Sequence, residues 1–152
     1  AYVPDRAQGK QTGPQSAWVS YEFGSDTVEV NLSLHDGACE LVVKMVGSPS
    51  EAQYEFALML APEPGGTIAI DGREEKLSPS RLVRSETGFI WRGMVWTSST
   101  RSVLEYPVVP HNSYTQDGLP LPSDYVGRWA VRVTRDETIL RIQPASNSAA
   151  SP

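Results

Sequence analysis

"TVEVNLSLHDGACELVVKMV", residues 27–46, decides the fold. In its first half Val28, Val30, Leu32 and Leu34 alternate with Glu29, Asn31, Ser33 and His35. Successive side chains of a β-strand point to opposite faces, so this stretch buries one face and wets the other. "HDG" then supplies an Asp-Gly pair of the kind that closes a tight hairpin, and "CELVVKMV" (39–46) returns beside it.

The same alternation spreads outward. "AWVSYEF" (17–23) precedes the hairpin across "GSD"; "TIAID", "RLVRS", "GFIWRGMVWT", "RSVLEYPVV", "VGRWAVRVT" and "TILRIQP" follow it, with Gly, Asp and Ser turn signals between several of them. Short strands at this spacing predict an all-β fold: an antiparallel two-sheet β-sandwich, or a squat barrel, of about eight to ten strands.

One stretch is ambiguous. Ser48-Pro49-Ser50-Glu51 has the form of a helical capping box, whereas Tyr54, Phe56, Leu58 and Leu60 alternate strictly. The alternation favours a strand over about 53–61. Residues 1–16 are poor in apolar side chains and read as an extended N-terminal arm; residues 17–144 form the sandwich domain, and 145–152 a flexible small-residue tail.

Composition excludes several function classes. The net charge is −5, with 13 basic residues, which argues against a nucleic-acid partner because phosphate contacts need clustered Lys and Arg. No apolar run reaches the length of a membrane-spanning helix. The single cysteine, Cys39, excludes an intrachain disulfide and reads as a small apolar residue. Two histidines with no Cys-x-x-Cys, His-x-x-x-His or acidic calcium loop predict no metal and no cofactor. His35 reads as an exposed residue flanking a turn.

Catalytic constellations are equally thin. There is no nucleophile elbow and no phosphate-cradling loop. His111 with Ser113 and Asp117 or Asp124 would be a triad on one unsupported loop. Paired carboxylates for hydrolysis would have to come from strands that bring Glu22, Glu29 or Glu55 together. No catalytic residue is assigned.

What remains points to contact surfaces. The segment from Pro107 to Asp124 holds Pro107, Pro110, Pro120 and Pro122, each lacking an N–H, and reads as a stiff surface strap unable to pair as an inner strand. Tyr106, Tyr114 and Tyr125 bracket it, and His111 and Asp117 lie on it. "GFIWRGMVWT" (88–97) reads as one strand apolar on both faces, interrupted by Arg92; its second face is either core or a partner's seat, with Trp96 central to the question. Long apolar strands also leave costly unpaired edges, to be covered by the arm, the strap or another copy of the chain.

The expectation is a non-enzymatic protein–protein interaction or assembly module, binding a protein partner or itself through a sheet face or edge and the proline-rich loop. An envelope or secretion-associated domain and a structural subunit of a virus particle both fit, which favours an extracytoplasmic or virion-surface location. The interface candidates are Trp96, Arg92, Tyr106, His111, Tyr114, Asp117 and Tyr125. Two alternatives stand beside it: a sandwich binding carbohydrate or another small polar ligand, and a hydrolase using carboxylates.

Overall fold

The computed structural model describes residues 3–47, 52–63, 65–108 and 125–145. These residues hold thirteen strands and no helix. In chain order they are β1 (Arg6–Gly13), β2 (Ser16–Phe23), β3 (Asp26–His35), β4 (Ala38–Gly47), β5 (Tyr54–Leu60), β6 (Thr67–Ile70), β7 (Arg73–Lys76), β8 (Val83–Ser85), β9 (Phe89–Trp91), β10 (Met94–Ser98), β11 (Ser102–Val108), β12 (Val126–Val133) and β13 (Thr138–Pro144).

The strands build two antiparallel sheets, one of nine strands in the order β1-β2-β3-β4-β13-β10-β9-β6-β7 and one of four in the order β5-β12-β11-β8. Both are open, so the fold is a sandwich and not a closed barrel. Their inner faces share one core. Val28 and Val30 of β3, Leu41 and Val43 of β4, Leu140 of β13 and Phe89 of β9 meet Leu60 of β5, Leu104 of β11 and Trp129 and Val131 of β12. Trp129, with only 1% of its surface exposed, sits edge-on to Phe89 and Trp96 at ring distances of 5.6 and 5.7 Å. These three rings tie the sheets together near mid-core.

The 27–46 hairpin pairs in the register its alternation dictates, Val30 opposite Val43 and Leu32 opposite Leu41. Its turn places Asp36 and Gly37 at φ 53° and 75°, the mirror-image geometry whose twist matches that of the flanking strands. Asp71-Gly72 closes β6 onto β7 in the same way, at φ 51° and 76°. The ambiguous stretch after residue 52 is strand β5, as the alternation of Tyr54, Phe56, Leu58 and Leu60 requires; the capping-box residues 48–51 lie outside the described residues.

Two expectations are corrected, and one is made more specific. Residues 88–97 are not one strand but a hairpin, β9 and β10, turned by Arg92-Gly93 at φ 51° and 71°. Within the expected extended arm, residues 6–13 form strand β1, hydrogen-bonded to β2 from Arg6 opposite Glu22 to Gly13 opposite Ser16. Pro107, expected to bar inner pairing, lies in β11, which is flanked by both β12 and β8; the pairing with β12 steps from Glu105 to Val108, so the missing N–H falls in the irregular stretch. The rest of the strap, residues 109–124, lies outside the described residues, as does the tail beyond Ala145.

Candidate functional site

Two surfaces stand out, a sheet edge and a sheet face. The edge is β1. It is exposed along almost its whole length, and fully buried apolar side chains of the large sheet first occur at β3, so β1 stands beyond the core. Its side chains gain little from burial; main-chain bonds to β2 hold it there. The two-residue turn Gly24-Ser25 makes Phe23 and Asp26 a hydrogen-bonded pair, which sets the alternation across β2. The Leu34 N–H donating to the Gln15 carbonyl at 2.8 Å keeps the same phase. Ser20, Trp18 and Glu22 therefore turn their main-chain groups toward β1 and bond Gln8, Lys10 and Arg6. It follows that the N–H and C=O of Ala7, Gly9 and Gln11 point away from the sheet, along an edge with no neighbour strand among the described residues.

The face is the outer side of the four-stranded sheet. Cross-strand neighbours lay Ala57, Ala130 and Val103 side by side as a low floor. Longer side chains rise on either side of it: Arg128 on one, Glu55, Arg132 and Arg101 on the other. The cleft they border has a volume of about 900 Å³, with the paired rings of Phe23 and Tyr54 at one end. Glu55 accepts from Arg128 at 2.5 Å, not from Arg132 directly opposite it. Arg101 bonds Glu86 at 2.5 Å and, with Arg84, holds the Glu86 carboxyl below its usual range. Arg132 is exposed and has no carboxylate partner among the described residues.

Beside this cleft, Asp26 is buried to 2% exposure and accepts a 2.8 Å hydrogen bond from the Tyr54 hydroxyl; its Oδ1 has no hydrogen-bond partner among the described residues. That bond fastens β5, an edge strand of the small sheet, to the large one.

No family model, curated protein or solved structure matches this chain.

The residues singled out from sequence are scattered. Trp96 is half-buried and turned inward, stacked on Phe89 at 5.5 Å with its indole N–H donating to the Trp91 carbonyl at 3.3 Å. Tyr106 is 4% exposed and part of the core, so it is no surface contact; burial pushes its hydroxyl above the usual tyrosine range. Arg92 is at the β9–β10 turn with its guanidinium 4.6 Å from the Trp91 ring centre. Tyr125 is half-buried just before β12, while His111, Tyr114 and Asp117 lie outside the described residues.

Of the carboxylates proposed for hydrolysis, Glu22 and Glu29 are diagonal neighbours on one face of the β2–β3 pair, while Glu55 belongs to the other sheet. There it lies on the outer face, bonded to Arg128. Among the described residues no three His, Cys, Asp or Glu side chains group as metal ligands, and no helix is long and apolar enough to cross a membrane. A small apolar pocket lined by Leu60, Pro62, Ile68, Leu77, Trp91 and Tyr106 measures about 10 Å³, room for a water molecule. Neither the free edge nor the arginine cleft had been singled out from sequence: the edge has no hydrophobic period, and the cleft assembles residues from three strands far apart in the chain.

Proposed function

We infer that this protein is an interaction and assembly module that works through the free edge of its nine-stranded sheet. The observation that carries the reading is β1: a complete strand beyond the core, exposed on both faces, with the main-chain donors and acceptors of Ala7, Gly9 and Gln11 presented outward. A bare edge of this kind is a template for strand addition, which other proteins blunt with charged side chains, prolines, bulges or a covering loop. β1 carries Arg6 and Lys10, and its one register shift falls at the Gln11–Gly13 end. Along the straight run of β1 the edge carries Ala, Gly and Gln, with no proline.

Gly9→Pro tests this reading. It removes an outward donor while leaving the bonds that Gln8 and Lys10 make to β2, so strand addition should fail with the sandwich intact by circular dichroism. The readout is association, both self-association by sedimentation and retention of proteins from the native host. Association that survives the substitution refutes the edge as the route, and no association by the parent chain refutes the module.

A second reading rests on a separate observation, Arg132 with no carboxylate partner among the described residues, above a floor of small residues. Guanidinium forks match carboxylate and phosphate oxygens in pairs, so the cleft suits a small acidic ligand. Calorimetric titration with citrate and with inorganic phosphate tests it; Arg132→Gln should abolish any heat observed, and silence from both anions dismisses it.

A further inference from the structure

We propose that the partner of β1 is β1 of a second copy, paired antiparallel about a two-fold axis through Gly9. This rests on the edge reading above and adds both the partner's identity and the register. The outward groups belong to the odd-numbered residues Ala7, Gly9 and Gln11, so a self-pair must match odd with odd. Only three registers engage a useful share of them.

Placing Gly9 opposite Ala7 of the second copy brings Arg6 face to face with its Lys10. Placing Gly9 opposite Gln11 sets Lys10 against Lys10 across the axis. Like charges directly opposite each other destabilise a sheet. The remaining register sets Gly9 on Gly9 and Ala7 on Gln11. Every outward donor and acceptor of those three residues is then paired, as an isologous interface allows. On the outer face it puts Lys10 against Gln8 and Arg6 against Thr12, with no like charges opposed. Residues 6 and 10 are the only charged ones on β1, so their spacing selects this register. Gly9 has no side chain to crowd the axis where the strands meet. The outcome is one continuous sheet running through both copies.

The test uses opposite charges at one position. Gln8 faces Lys10 of the second copy twice in the dimer and is exposed in the single chain. Sedimentation equilibrium of the full chain and of Gln8→Glu and Gln8→Lys gives the dimer dissociation constant of each. Gln8→Glu should tighten the dimer and Gln8→Lys loosen it, each by about threefold to tenfold at low salt. Both shifts should shrink at high salt. Gln8 also accepts from Arg6 of its own strand at 3.2 Å, so the opposite signs report the dimer only if the melting curves of the diluted monomers are unchanged in both variants.

A parent dimer whose constant moves the same way, or not at all, in the two variants overturns the register while leaving edge-mediated assembly in place. A strict monomer that still binds a foreign protein through a Gly9→Pro-sensitive contact overturns self-pairing alone. A strict monomer with no such partner overturns this inference and the edge reading together.

Discussion

Replacing Trp96 by alanine asks whether the second hairpin strand faces the core or a partner. Full burial makes a Trp→Ala change cost about 3–5 kcal/mol. Trp96 is half-buried, which reduces the transfer part to roughly 2 kcal/mol. It also has three ring partners, Phe89 at 5.5 Å, Trp91 at 5.6 Å and Trp129 at 5.7 Å. Such pairs contribute about 0.5–1.5 kcal/mol each beyond their area. At the low end of that range the total loss is about 3.5 kcal/mol, a fall in melting temperature of roughly 7–14 °C for a domain of this size. Urea unfolding followed by far-UV circular dichroism measures it without depending on the deleted fluorophore, and an unchanged denaturant slope shows that stability alone moved. Trp96→Phe keeps the ring stack and gives up the N–H to the Trp91 carbonyl, so it should lose only about 1 kcal/mol. Self-association of the still-folded Trp96→Ala chain should match the parent. A stability loss below about 1 kcal/mol combined with weakened association would sink this reasoning, because the ring would then be working at an interface.

Three further outcomes follow from local geometry. Tyr54→Phe removes the hydroxyl that donates to the buried Asp26 side chain, so stability should fall by about 1–3 kcal/mol, with the earliest hydrogen exchange appearing in β5. Gly47→Ala places a Cβ 2.5 Å from the Ser25 carbonyl oxygen at φ 125°, whereas Gly24→Ala meets nothing within 4 Å. The first should therefore cost several times the second in thermal unfolding, and equal costs would show that the turn yields. Burial pushes the Cys39 thiol above its ordinary value, so the folded state holds that proton more tightly than the unfolded chain does. Its contribution to stability is complete below the unfolded thiol value and declines as pH rises past it. Alkylation near pH 8 should accordingly be slower in the native chain than in urea, and equal rates would refute the shielding.

Where alternation was the physical cause of structure, the sequence displayed it. Val28, Val30, Leu41 and Val43 are in the core because period two put them there, and the Asp-Gly turns announced themselves. Arg92-Gly93 adopts the same backbone conformation, but Arg is not a residue that signals a left-handed turn, and apolar neighbours on either side hid the reversal. β1 was illegible for a different reason. "RAQGKQTG" buries nothing, so no hydrophobic period marks it, and its strand state is conferred by β2. Pro107 misled because a bulge absorbs the lost donor, which only the pairing of β11 reveals. The arginine cleft depends on Arg132 arriving between Glu55 and Arg101, a neighbourhood set by strand order and invisible along the chain.

Strand β13 sits between β4 and β10, joining the amino-terminal meander to the β10-β9-β6-β7 group. A nascent chain emerging from the ribosome therefore holds two half-sheets with facing, unsatisfied borders until residues 138–144 are made. Made after the other twelve described strands, it must thread into the middle of the sheet, not add to its rim. Translation that stops just short of it would release two sticky fragments joined by a linker, a species for chaperones and proteases. Supplied as a separate peptide, the same strand should act as a keystone and complete a chain truncated before Thr138.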